Sequence, residues 1–242
     1  DNSATGNVSL QTVVVNGSEA QYRYNLGSNH TIIQDMILRN SASVFDANAI
    51  GTNNSILGDL IIETGATFGI DNNIITVAGK SFVAGLLRDN AVTGSSTFSD
   101  SLIVQNGGVF NYNQGSNINV SGVLRILNGG SVRDDNTIGT NNTIFKTLID
   151  TGGDFNIENN AITFTDSVTV MGQLRNTSAS GSIIFGGLLN IQTGGVYTNT
   201  ANQAVVFKGG IHYQGTSFIS GNGLHTFNTN AQNITGNAFT IA

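Results

Sequence analysis

The sequence predicts an all-β protein, and within that class a parallel β-helix (β-solenoid) of about 22 residues per coil. Three observations carry this: strand and turn residues dominate, proline is absent, and the chain repeats itself on two scales. Only 10% of the 242 residues are charged, while 31 are Gly and 33 are Asn. Helix surfaces draw on Glu, Lys, Arg, Ala and Leu. This chain draws on Val, Ile, Thr and Phe, set between Asn, Gly and Ser.

The longer repeat spans 87–88 residues. Asp46 to Ile56 (DANAIGTNNSI) returns as Asp134 to Ile144 (DDNTIGTNNTI), and Tyr24 to Asn29 (YNLGSN) as Tyr112 to Asn117 (YNQGSN), both 88 residues on. Glu63 to Thr76 returns as Asp150 to Thr163, and Gln105 to Phe110 (QNGGVF) as Gln192 to Tyr197 (QTGGVY), both 87 on. One continuous solenoid over residues 1–242 is expected, with internal copies 1–88, 89–175 and a shortened 176–242. The last ten residues match Asn156 to Thr165 at an offset of 77, which predicts an internal loss of about ten residues from the third copy. A finer pattern, L-x-x-x-x-G-[AG]-x-aromatic, ends at Phe68, Phe110, Phe155 and Tyr197, spaced 42, 45 and 42. Val132 echoes it 22 residues after Phe110, and Tyr22 and Val44 extend it backwards. Four units of 20–24 residues therefore make one long repeat, and the chain holds about eleven coils.

Each unit reads as two or three short strands joined by turns. The turns are expected at Gly51 to Asn54, Asp71 to Asn73, Asn106 to Gly108, Asn128 to Gly130 and Asn159–Asn160, where Asn and Gly tolerate tight corners. Apolar stretches such as Leu102 to Val104, Ile118 to Leu127 and Ile183 to Ile191 supply the strands. Missing proline fits strands that bond to coils on both sides. Stacked Asn at corners predicts amide ladders. Tyr22, Phe68, Phe110, Phe155 and Tyr197, with Val44 and Val132 between them, predict an interior structural stack. An intertwined trimeric β-helix is the structural alternative. The repeat is already running at residue 1, where DNSATGNVSL aligns with Asp89 to Phe98, and no capping sequence is visible. Neighbouring copies or further repeats are therefore the expected partners at both ends.

The phrases L-x-I-x-x-G-G-x-F and N-x-I-x-V-x-G-x-L, in their Asn/Gly/Thr/Ser-rich frame, resemble the β-solenoid repeats of very large bacterial cell-surface proteins. They look most like those of Bacteroidetes-type secreted adhesins and surface filaments. They are similar in style to autotransporter and haemagglutinin-like passenger domains and to phage tail fibres. The resemblance implies export, surface display and adhesive or structural work. It carries no catalytic residues over.

No cysteine means no disulfide and no thiolate site. A net charge of −6 with nine scattered Lys and Arg makes nucleic acid and anionic membrane unexpected partners. No apolar run reaches 18 residues, so no membrane-spanning helix is expected. No cofactor or metal is expected either. His30, His212 and His225 lack partners at ligand spacing and are expected at the surface or in turns. The acids Asp46 and Asp134–Asp135, Asp71 and Glu158, and Glu63 and Asp150 recur four coils apart, roughly 19 Å at ~4.8 Å per coil. A glycosidase pair stands ~5–9.5 Å apart, so none is expected as catalytic. Asp134-Asp135-Asn136 and Asp71-Asn72-Asn73 offer calcium-type oxygens but read as turn formers, without an EF-hand loop. The eight N-x-[ST] sequons are about what composition supplies by chance. Of Thr-x-Thr arrays, only Thr163–Thr165 fits a strand, unstacked. Tyr24 and Tyr112, in a polar YN-x-GSN setting, are the candidate glycan contacts.

The expectation is a non-enzymatic, extracellular structural or adhesive rod, part of a long surface adhesin or fibre. One alternative is a filament subunit stacking head to tail. The other is a polysaccharide-binding or -degrading β-helix protein such as a phage tail fibre.

Overall fold

The computed structural model describes residues 6–24, 28–46, 53–71, 74–90, 95–112, 117–134, 141–158, 161–177, 180–228 and 232–241. Each coil carries three strand positions, as in Ile74–Val77, Ser81–Val83 and Leu86–Asp89. The first two positions join a broad sheet of twenty strands, and the third joins a narrow sheet of ten. Asn117–Ile126 and Asn141–Ile149 run through the bend of the broad sheet without a break. Every strand pairs in parallel with its counterpart one coil away, as in Ile75↔Ser96 and Leu87↔Phe110. The fold is thus an all-β parallel solenoid of about nine turns with about 22 residues per coil, with no helix among the described residues. Beyond the tenth narrow-sheet strand, His225–Phe227 and Ile234–Gly236 begin a further coil. This chain's own side chains fill the interior, so intertwining is not needed to close it.

Corner lengths explain the four-coil period. The connection leaving the narrow sheet holds six, three, five and four residues after Asp46, Ile70, Asp89 and Tyr112. The same lengths recur, in the same order, after Asp134, Ile157, Asn176 and Asn199. The offset-77 match that suggested the internal loss in the third copy does not join equivalent positions. Ile234 pairs with Ile211 in the broad sheet, whereas its supposed counterpart Ile157 ends a narrow-sheet strand. The match between the two segments reflects shared Asn-rich composition rather than shared position.

Alternation along each strand points every second residue inward. In the narrow sheet the central inward column runs Tyr22, Val44, Phe68, Leu87, Phe110, Val132, Phe155, Leu174, Tyr197, Phe218, in register. Phe68, Phe110, Phe155 and Tyr197 are buried as expected, and Tyr22 is half-buried. They do not stack on one another, because an aliphatic residue separates each pair. Their rings meet the other sheet instead: Phe110 with Phe98 at 5.8 Å, Phe155 with Phe164 at 6.1 Å, Tyr197 with Phe185 at 6.1 Å.

The continuous ring stack lies in the broad sheet. There the column Leu10, Ile32, Ile56, Val77, Phe98, Val120, Ile144 gives way to Phe164, Phe185, Phe207 and Phe227. Successive centroids of these four are 5.4, 5.5 and 5.1 Å apart, with interplanar angles of 8°, 12° and 19°.

The four-residue corner from broad to narrow sheet takes a left-handed glycine at one place, whereas the three-residue corner 40–42 uses Asn40 and Ser41 at φ of 53° and 62°. Gly65, Gly107, Gly129, Gly152 and Gly194 have φ of 79°, 75°, 76°, 80° and 86°, where a side chain is strained. At Gly152 a Cβ would also lie 2.1 Å from Asn128 Oδ1.

Candidate functional site

The last residue of each four-residue narrow-sheet strand shares parity with the core column, so it too faces inward. Tyr112 is such a residue. It is buried at 2% exposure and offers no face to a sugar, which corrects its reading as a glycan contact. Burial, together with the Asp134 carboxylate one coil away, pushes the Tyr112 hydroxyl well above the usual tyrosine range. Tyr24 occupies the same strand position, next to Asp46 in register. The side chains of Tyr24 and Asp46 lie outside the described residues.

The inward residues at this corner include buried polar groups, interrupted by Ile70 and Ile157. Asp89, Asp134, Asn176 and Asn199 are all at 0% exposure. Ser96 donates to Asp89 at 2.5 Å. Asn54 Oδ1 accepts the His30 amide at 3.1 Å, and Asn142, its counterpart 88 residues on, accepts the Ile118 amide at 2.9 Å. Asn176 donates to Asn199 (2.8 Å) and to Gln203 (2.7 Å), so one amide ladder is internal. Others are external, as in Asn40 to Asn16 at 2.7 Å and Asn29 to Asn7 at 3.2 Å. Asp134 therefore ends a strand inside the core and does not form a turn.

His30 also departs from expectation. It is buried at 2%, and its Nδ1 lies 2.8 Å from the Tyr22 hydroxyl. Desolvation lowers the His30 pKa and raises that of Tyr22. Its counterpart is Ile118, an inward position that the sequence already marked as apolar. His212 Nδ1 meets Thr235 Oγ1 at 2.8 Å, and His225 Nε2 meets the Ser220 carbonyl at 3.0 Å.

Four other acids sit in cross-coil pairs with arginine. Glu63 faces Arg39 at 3.8 Å, Asp71 faces Arg88 at 3.8 Å, and Asp150 faces Arg125 at 2.9 Å. Arg175 Nε donates to Asp154 at 2.8 Å, and that bond raises the guanidinium pKa further. Glu158 accepts from Asn156 at 2.7 Å. Asp135 lies outside the described residues. Among the described residues no three His, Asp or Glu gather as a metal would need.

Register reveals surface rows that sequence reasoning missed. Ser9, Thr31, Ser55, Thr76, Thr97, Asn119, Thr143 and Thr163 form one outward column on the broad sheet. A search for Thr-x-Thr within strands does not find a column one residue wide. Four sequons, at Asn7, Asn29, Asn53 and Asn141, open strand segments of this column. On the narrow sheet Arg23, Arg88, Arg133 and Arg175 share one outward column with Phe45, Gly69, Asn111 and Asn156. The basic residues are thus less scattered than the sequence suggests, although Asp71 and Asp154 offset two of them.

Two notches complete the surface. One, of about 320 Å³, is lined by Thr151, Asp154, Met171, Gln173 and Arg175. The other, of about 290 Å³, is lined by Thr64, Thr67, Ala84 and Leu86. They occupy equivalent positions 87 residues apart, as Thr64 and Thr151 show. Their cause is a two-residue bend, Ala84–Gly85 or Met171–Gly172, between neighbouring coils whose turns take four residues. No protein-family model, no curated protein and no solved structure matches this chain.

Proposed function

We propose that the chain is a non-enzymatic structural and adhesive rod of the cell surface or extracellular space, a segment of a longer adhesin or fibre. The observation that supports this most is unbroken stacking. Ten narrow-sheet strands follow one another in register, and the broad sheet keeps pace with them. About nine turns at ~4.8 Å each give a rod of roughly 43 Å, stiffened by a ladder that runs its whole length. The Asn-, Ser- and Thr-rich surface and the two repeated notches suit weak, polyvalent contact with surface glycans. The resemblance to large bacterial surface proteins points the same way. Nucleic acid and membrane insertion have no part in this reading.

Antibody labelling of intact source cells, paired with a glycan-binding and turnover screen, tests it. Outer-surface labelling with binding but no turnover is expected. Labelling only after lysis, or turnover abolished by changing one carboxylate, overturns it.

A further inference from the structure

The outward face of the broad sheet is apolar in one stretch and polar in the next. On the second strand of successive coils the outward residues are Val14, Ile37, Ile61, Phe82 and Ile103, in register. At the adjoining bend stand Ile33, Leu57 and Ala78, whose amides continue the ladder between coils. Val14 is 50% exposed, Leu57 51% and Ile33 40%, and the others are partly exposed or exposed. Four coils on, the positions of Ile37, Phe82 and Ile103 are held by Arg125, Thr169 and Asn190, while Ile61 becomes Leu148. The bend positions of Ile33 and Ala78 become Ser121 and Thr165, while Leu57 becomes Phe145, itself 46% exposed. The same backbone and core therefore accept polar residues here, and the fold does not require the stripe to be apolar.

Contiguous exposed apolar surface of this kind marks an interaction site. We propose that the stripe is an interface on which a second copy of the chain docks face to face, antiparallel, about a two-fold axis at Ile61. β-Sheets pack this way at about 10 Å separation, with inner-face side chains interdigitating. The axis brings Ile37 of one copy over Phe82 of the other, Val14 over Ile103, and Ile33 over Ala78, pairing large with smaller residues. Charge fits as well. Asp35, Asp59 and Lys80 stand in one row beside the stripe on successive coils, where each hands its carbonyl to the preceding coil. The two-fold sets Lys80 of each copy opposite Asp35 of the other. Asp35 and Asp59 each accept the amide of the row residue on the next coil, Asp59 N–H at 2.8 Å and Lys80 N–H at 2.7 Å, which leaves each a second carboxylate oxygen for the other copy. Four coil steps of ~4.8 Å by eight residues of strand give roughly 500 Å² per copy, close to the ~1,000 Å² total that a specific interface needs. The dimer is accordingly reversible, in the micromolar range. An isologous contact closes at two, unlike end-to-end stacking.

The test is sedimentation equilibrium of the full chain across the micromolar range, with the triple variant I37R/F82T/I103N. Those substitutions install the residues found at the equivalent positions four coils on, so the coil is expected to fold. Circular dichroism and thermal melting check that it does. The wild type is expected to dimerise, and the variant to do so at least about tenfold more weakly. Lys80→Glu is expected to weaken the dimer severalfold, and more so at low salt. A wild type that stays monomeric throughout, a triple variant that dimerises as tightly as the wild type, or growth beyond the dimer that survives the triple variant overturns the proposal.

Discussion

Two stretches of one core column show how the same backbone can be filled in different ways. In the early coils the broad-sheet column is aliphatic, running Ile32, Ile56 and Val77. In the late coils it is a run of stacked rings, Phe164, Phe185, Phe207 and Phe227. The narrow sheet compensates early, where Phe68 lies opposite the aliphatic stretch with Val44 and Leu87 on either side of it. Late in the chain both columns are aromatic, since Tyr197, Phe218 and Phe239 follow at 5.0 and 4.4 Å. Phe185 and Phe207 each stack against a ring on either side, so the loss of either is felt in three coils. An early aliphatic residue packs mainly within its own layer and against its immediate neighbours. The late coils therefore concentrate stabilisation in a few large side chains.

The largest expected effect is from Phe185→Ala, at about 3–5 kcal/mol, with loss of hydrogen-exchange protection spreading from 162 to 227. Protection loss confined to the coil of residue 185 would show that the ring stack does not couple coils. Next is Ile56→Phe, which imports the late solution into the early coils. Phe68 and the aliphatic neighbours already fill that space, so overpacking should cost about 1–3 kcal/mol by chemical denaturation. A neutral result would mean that the early interior is loosely filled. Asn199→Ala breaks the internal amide network with Asn176 and Gln203 and should cost about 1–3 kcal/mol in the same assay.

The smallest effect is confined to the first coils and depends on pH. His30 resists protonation when folded because burial lowers its pKa below the ordinary 6.5. Above 6.5 the ring is neutral in both states and pH has no effect through it. Below 6.5 the unfolded chain takes up a proton that the folded chain refuses, so stability falls until pH drops below the lowered folded value. The protection factors of amides in residues 6–32, corrected for the intrinsic pH dependence of exchange, should therefore fall between pH 7 and pH 5. His30→Ile, which installs the residue of the equivalent coil, should flatten that response.

The coil period, the parallel stacking and the buried places of Phe68, Phe110, Phe155 and Tyr197 were all legible in the sequence, because a solenoid repeats its inward residues at fixed spacing. Tyr112 was legible too, though it was misread. It lies two residues after Phe110, and alternation puts both on one face, whereas the polar neighbours suggested a surface. His30 hid in the same way, since a polar residue at an apolar position looks like an exception until its partner Tyr22 is seen. The Phe164–Phe227 stack escaped because it begins late in copy two, so the 87-residue comparison sets Phe164 and Phe207 against Val77 and Val120 and only Phe185 against another phenylalanine, Phe98. The Ser/Thr and Arg columns escaped for another reason. They depend on which residue of one coil lies above which residue of the next, and corners of three to six residues shift that relation from coil to coil.

Those unequal corners bear on how such a rod can change length. Recombination between two copies inserts or removes a block of 87 or 88 residues. That block returns every corner to its own kind and keeps large residues alternating with small ones along the narrow sheet. The rod then lengthens or shortens by roughly 19 Å without a new junction having to be invented. Loss of a single coil would put a six-residue corner where a three-residue one belongs, and the join would have to be repaired by later substitutions. Reach is thus adjustable in steps of four coils, and the lineage of such a protein should differ in rod length by whole multiples of that step.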